Sequence, residues 1–169
     1  LFTIEVDPNY GKYHYDGHRS CDFSCPPSES KRLNNICPKC GKKLIIGVLN
    51  RVGQLADREE GFAPKNAVPF KSLLPLSEII AAVIGGEPFS KKVWEIYNQL
   101  IMKFNNEFDV LLNAEEDEIK SIVKERIAEA IIQNRLGKLK VIPGYDGVYG
   151  KPVFDFVEEK KQKGLGSFV

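Results

Sequence analysis

Cys21-Asp22-Phe23-Ser24-Cys25 and Cys37-Pro38-Lys39-Cys40-Gly41 carry all four cysteines of the chain, within 20 residues, in the pattern C-x3-C-x11-C-x2-C. Tetrahedral zinc takes four thiolate or imidazole ligands at about 2.0–2.3 Å. A C-x2-C-G turn aims two sulfurs at one point, because glycine permits the tight backbone and the intervening amides can face the sulfurs. The C-x3-C arm closes the tetrahedron. The expected ligands are therefore Cys21, Cys25, Cys37 and Cys40 around a structural Zn2+. His18 is an open alternative to Cys25, since His18-Arg19-Ser20-Cys21 also has metal-ligand spacing. Lys39, Lys42 and Lys43 offset part of the thiolate charge.

Three other uses of the cysteines compete. Two disulfides need an oxidising compartment, and nothing in the chain points to one. A redox C-x-x-C pair opens a helix in a βαβ unit, whereas Lys43-Leu44-Ile45-Ile46 after this knuckle reads as a strand. Iron–sulfur clusters use other spacings.

Outward from the knuckle, Leu1–Val6 alternates enough to read as a strand, Gly11–Gly17 as a second and Lys43–Val48 as a third. Such a small β-rich unit has a thin core, so metal binding is expected to supply much of its folding free energy. Asn50–Arg58 reads as a short helix and Glu59–Pro69 as a linker. A helix over Leu76–Ile84 stops at Gly85-Gly86. Ser90 is the expected cap of a longer helix whose Val93, Tyr97, Leu100, Ile101 and Phe104 form one apolar face. Phe108–Leu112 is a short helix. Asn113 with Glu116 resembles a capping box before Glu118–Val123, so the acidic run Glu115–Glu118 is read as helix-cap chemistry. A last helix spans Glu125–Leu136, with Gly137 as its stop. Val141–Gly147 reads as strand then turn.

The expected architecture is α+β: a β-rich zinc-ribbon-like domain over 1–60, a linker with a short helix over 61–88, a helical domain over 89–150 and a flexible tail over 151–169.

The chain has 169 residues, 43% hydrophobic and 28% charged, with net charge +1. That supports a folded core and argues against a disordered polyampholyte. Residues 9–58 nevertheless carry nine Lys/Arg against four Asp/Glu, a basic front able to attract a polyanion. No apolar run approaches the roughly 18–20 residues of a membrane span. No secretory leader opens the chain, so a cytoplasmic location is expected. The start at Leu1 points to a piece of a longer protein. Phosphate-binding, dinucleotide and serine-elbow motifs are absent, which argues against an independent enzyme.

The stretch FNNEFDVLLNAEEDEIKSIVKERIAEAI (104–131) resembles a helix-hairpin-helix unit, a nonspecific DNA-binding arrangement. Its connection, Val123-Lys124-Glu125, has no glycine, so Lys124 and Arg126 take the place of backbone amides as expected phosphate contacts. More broadly, GKYHYDGHRSC (11–21), ICPKCGKKLIIGVLNRVGQLADREEG (36–61), PFKSLLPLSEII (69–80), ERIAEAI (125–131) and PGYDGVYG (143–150) resemble the C-terminal region of endonuclease Q-type proteins. Some relatives of these are labelled helicases or left uncharacterised.

The resemblance implies a DNA repair role, nicking beside deaminated bases such as uracil and hypoxanthine. It implies a metal-dependent PHP phosphoesterase domain, on the N-terminal side in the parent protein, as the nuclease. With only His14 and His18, this chain cannot assemble such a centre, so no catalytic residue is assigned. The chain becomes a DNA-binding accessory region, with Tyr13, Tyr15, His18, Arg19, Lys43, Arg51 and Arg58 as expected DNA contacts beside Lys124 and Arg126. Alternatively, Tyr13 and Tyr15 pack on the knuckle and Asp57–Arg58 is a solvated pair. The competing function is a zinc-ribbon protein-interaction module without DNA binding. Finally, Gln162, Leu165 and Phe168 are similar to a sliding-clamp-binding peptide, which makes a clamp a second expected partner.

Overall fold

The computed structural model describes residues 1–156. The expected tail contacts Gln162, Leu165 and Phe168 lie outside them. Among the described residues no helix is long and apolar enough to cross a membrane.

Among the described residues six short strands pair into three two-stranded sheets, and helices supply the main core. Strand β1 (Thr3–Glu5) pairs in parallel with β4 (Phe70–Ser72). Strands β2 (Asp16–His18) and β3 (Phe23–Cys25) form an antiparallel hairpin with His18 opposite Phe23. Strands β5 (Lys140–Ile142) and β6 (Lys151–Val153) form another. The three strands expected at the front therefore do not make one ribbon. The first is drawn to β4, far along the chain. The second is shorter than expected: a 3-10 turn at Pro8–Tyr10 runs into further turns over residues 11–14, and the strand starts only at Asp16. Residues 43–48 contribute only the single bridges Ile36–Lys43 and Gly17–Ile45.

Helix α1 (Pro27–Arg32) lies between the two cysteine pairs. Helix α2 (Val48–Leu55) follows the knuckle, and residues 56–69 form neither helix nor strand. Helix α3 (Leu76–Ile84) has the expected bounds, and Gly85 ends it in the left-handed region at φ 72°. Helix α4 (Lys91–Phe104) buries Val93 and Leu100 from its apolar stripe. Ser90 stands at its N-cap position but makes no side-chain cap bond. A π-helical turn over Asp109–Asn113 leads to α5 (Glu116–Lys120) and, through residues 121–124, to α6 (Glu125–Arg135).

The capping box expected at Asn113 does not form. Asn113 Nδ2 donates to Asp109 Oδ1 at 2.9 Å, and Glu115 occupies the cap position of α5. The π turn has taken Asn113 into its own hydrogen bonding. The carboxylates Glu116, Asp117 and Glu118 still occupy the first turn of α5, where they complement the helix dipole.

The helical core is built from sixteen buried residues of the described set, among them Leu76, Ile79, Ile80, Leu100, Ile119, Ile127 and Ile131. Each fully buried Leu or Ile is worth about 1.5–3 kcal/mol, so this part holds itself together. Buried Asn134 on α6 clamps the strand–helix junction, accepting from Leu74 N at 3.0 Å and donating to Leu74 O at 3.3 Å. Around the cysteines the buried cluster is only Cys25, Cys37 and Leu44. Apolar burial there is too small to hold the backbone, and other forces must do so.

Loop 143–150 wraps the front of the chain. Gly144 N donates to Asn9 O (2.8 Å), Gly147 N to Lys12 O (2.9 Å), Gly150 N to Tyr10 O (3.0 Å) and Tyr15 N to Gly144 O (2.9 Å). A Cβ at Gly144 would stand 2.5 Å from Gly11 O, and one at Gly150 would collide with Asn9 O. Only glycine allows the backbones to meet this closely.

Candidate metal centre and nucleic-acid surface

The knuckle folds as its residues require. Gly41 N donates to Cys37 O at 2.8 Å, Cys37 N donates to Lys42 O at 2.7 Å, and Gly41 adopts φ 73°. The other arm is the β2–β3 hairpin. A 3-10 turn at Arg19–Cys21 closes it, and Asp22 takes a left-handed conformation at φ 45°. Lys39 Nζ joins the arms by donating to Cys21 O (2.8 Å) and Asp22 O (3.1 Å).

These arms bring His18, Cys21, Cys37 and Cys40 together, with one ligand atom from each lying within 4.8 Å of the others. His18 Nδ1 is 3.3 Å from Cys40 Sγ. All four cysteines are free thiols. The fourth position thus goes to His18, the alternative the spacing left open, and Cys25 is outside the group. Cys25 stands across the hairpin from Asp16, buried with Leu44 and Cys37. Burial, with the charges of Glu29, Asp16 and Cys37, pushes its thiol up to about 11, so it behaves as a small core residue.

The donor set fits a divalent metal. Burial opposes ionisation of Cys37, but the backbone amides of Lys39 and Cys40, together with hydrogen bonds from His18 and Cys40, bring its thiol down to about 7. Cys21 moves the other way, to about 11, through its hydrogen bond with Cys40, desolvation and its neighbours' charges. Thiolates this crowded repel one another, and a cation among them relieves the repulsion. Three sulfurs and one imidazole are a donor set that structural zinc uses.

The hairpin is held by a residue that sequence reading missed. Asp16 is fully buried. Its Oδ2 accepts from Ser30 Oγ on α1 and from Asn50 Nδ2 (2.8 Å) on α2, and its Oδ1 accepts from Gly47 N (2.6 Å) at the start of α2. One carboxylate therefore ties β2, α1 and α2 together, two residues before His18. The available signal was its place in an alternating apolar–polar stretch between glycines, which equally fits an exposed turn. The hairpin tip has a second tether that was also missed. Tyr145 Oη donates to Asp22 Oδ1 (2.7 Å), and Arg19 N donates to Asp146 Oδ2 (2.6 Å).

The expected DNA contacts fall into different settings. Tyr13 is exposed, while Tyr15 is half-buried and stacks on His14 with ring centroids 5.6 Å apart. His18 belongs to the metal group. Arg19, Lys43 and Arg51 are exposed, the last bonded to Gln54 Oε1 at 3.0 Å. Val48 N donates to Tyr13 O at 2.7 Å, which seats the start of α2 against the Tyr13 backbone. Arg58 lies over the Phe62 ring (4.8 Å) and 3.7 Å from Asp57, an exposed pair of the kind that contributes little. Lys124 and Arg126 are exposed at the start of α6, and the Arg126 guanidinium lies 5.4 Å from the Phe156 ring centre. They line a cavity of about 570 Å³ together with Val83, Ile84, Ile96 and Ile127.

Comparison with known proteins accounts for most of the chain. A family model described as the MJ0043 C-terminal domain matches residues 75–138. The uncharacterized protein MJ0043 of Methanocaldococcus jannaschii is 39% identical over 149 residues, covering 88% of this chain and 19% of that protein. The uncharacterized protein YqxK of Bacillus subtilis is 28% identical over 147 residues, covering 86% of this chain and 34% of that protein. The crystal structure of the lesion-specific endonuclease PfuEndoQ from Pyrococcus furiosus matches with TM-score 0.75 and 36% identity, over 88% of this chain and 36% of the other. Endonuclease Q in complex with a 27-mer duplex substrate, an abasic lesion at its active site, matches with the same TM-score and identity over 37% of its chain. The chain therefore spans well under half of each of these proteins. In sequence and in fold it fits an endonuclease Q-type C-terminal region.

Proposed function

We propose that this chain is the zinc-stabilised DNA-binding accessory region of a DNA repair endonuclease that acts on deaminated bases such as uracil and hypoxanthine. The cutting centre lies in a PHP domain of the same parent protein. The observation that carries this reading is the match, at 36% identity over 88% of the chain, to an endonuclease Q described with duplex DNA bound. In this proposal His18, Cys21, Cys37 and Cys40 hold a structural zinc ion, with no open position for chemistry. The ion fixes the Tyr13–Arg19 segment, so that Tyr13, Tyr15, Arg19, Lys43, Arg51 and Arg58 meet the strand. Lys124 and Arg126, at the start of α6, meet phosphates in the manner of a helix-hairpin-helix unit. The tail residues Gln162, Leu165 and Phe168 take a sliding clamp as a second partner.

A second reading has one observation in its favour. Val48, Val52 and Leu55 form an apolar stripe along α2 that is 52–65% exposed, which suits a protein-interaction module. Salt-titrated DNA binding separates the two. Phosphate contact predicts an affinity that falls steeply as salt rises, and reversing Lys124 and Arg126 to Glu should flatten that slope by about two. An affinity and a salt slope in the parent protein that this double reversal leaves unchanged would favour the protein-interaction reading.

A further inference from the structure

Where residues 10–13 meet the loop at 143–150 lies an aromatic surface that neither the metal group nor the hairpin explains. Tyr13 is 46% exposed and Tyr149 is 59% exposed. Lys12 Nζ lies 5.8 Å from the Tyr13 ring centre and 5.7 Å from the Tyr149 ring centre, so one ammonium serves two rings. Lys12 makes no ion pair among the described residues.

The two tyrosines come from opposite ends of the chain and are brought together by backbone contact. Gly147 N bonds Lys12 O and Gly150 N bonds Tyr10 O, and at Gly150 the carbonyls of Asn9 and Ile142 leave no room for a side chain. Tyr149 also packs on Tyr10, centroids 6.0 Å apart, and Tyr10 Oη is fixed to Glu78 Oε2 at 2.6 Å. The Tyr149 ring is thus held on Tyr10, and both rings are open to solvent. Exposed tyrosines around one ammonium fit a ligand with flat faces and negative charge.

We propose that Tyr13 and Tyr149, with Lys12 between them, form a stacking site for unpaired nucleobases of DNA, Lys12 taking the adjoining phosphate. This rests on the DNA-binding reading and adds to it a strand state and two residues, Lys12 and Tyr149. In an intact duplex the base faces cover one another, so the site engages a base only where pairing is broken.

The test uses the full-length parent protein and fluorescence anisotropy, with a single-stranded oligonucleotide and the matching duplex. The variants are Y13A/Y149A and Y13F/Y149F, both on exposed rings. Alanine at both positions should weaken single-strand binding about tenfold or more and duplex binding less than about twofold, while phenylalanine keeps both. Unchanged single-strand affinity in the alanine variant overturns the stacking site, and is also what a patch for proline-rich peptide would give. Equal loss on both DNAs overturns it as well, since that marks phosphate contact alone. Wild-type protein that binds neither DNA overturns the DNA-binding reading itself.

Discussion

Replacing Asp16 with alanine removes the acceptor for three donors at once: Ser30 Oγ, Asn50 Nδ2 and Gly47 N. Asp16 is fully buried, and Ser30 and Asn50 are buried beside it, so water cannot readily replace the carboxylate. Hydrogen bonds to a charged group are worth about 1.5–3 kcal/mol each, and an orphaned buried donor costs about 1–3 kcal/mol. The losses overlap, and breaking a buried charged network typically costs about 3–5 kcal/mol, the range expected for Asp16→Ala. For a chain of this size that lowers Tm by roughly 10 °C. Asp16→Asn keeps one acceptor oxygen and should lose less. Because β2 also carries His18, both variants should release metal more readily to a chelator, alanine more than asparagine. The assays are chemical denaturation of the metal-loaded protein and the rate of metal transfer to a chromogenic chelator. Asp16→Ala within about 0.5 kcal/mol of wild type, as for an ordinary surface change, would refute the view that this carboxylate organises the hairpin.

Further outcomes follow from the same geometry. Cys25→Ser should keep full metal stoichiometry, whereas His18→Ala and Cys37→Ser should lose the ion, as read by metal analysis after gel filtration. Gly47→Ala drives a Cβ into the carbonyl oxygens of His14 and Tyr15. Such overpacking against backbone should cost about 1–3 kcal/mol in a denaturant titration. The Tyr145 phenol is pushed up to about 12 by its hydrogen bond to Asp22, by burial and by the charges of Asp22 and Asp146. Its folded value lies above its unfolded one, so its stabilising contribution is complete below about pH 10 and is lost as pH rises through about 12. Tyr145→Phe should flatten that alkaline loss, followed by circular dichroism against pH.

Much of the helical part was legible because its signals are local. The glycine after Ile84 and the i, i+4, i+7 spacing from Val93 to Leu100 mark helices wherever they occur. The knuckle was legible for the same reason, since Cys37, Cys40 and Gly41 act within one turn. The fourth ligand was not. His18 and Cys25 both have workable spacing from Cys21, and the choice falls to a hairpin whose register is set by Asp16, Ser30 and Asn50 in three separate elements. The pairing of β1 with β4 was hidden likewise, because parallel partners can lie at any separation and three-residue strands carry almost no pattern. In PGYDGVYG the glycines announced turns, but their fit against residues 9–15 depends on two backbones touching, which no single stretch of sequence displays. Asn113 erred differently: a valid capping pattern lost to a π turn that used the same side chain.

X-ray absorption at the zinc edge of the purified, reduced protein examines the metal group most directly. One bound zinc is expected, with three sulfurs at about 2.3 Å and one nitrogen at about 2.0 Å. That shell should vanish in His18→Ala, which should lose the ion. A four-sulfur shell, or wild-type protein that retains no zinc, would contradict this assignment.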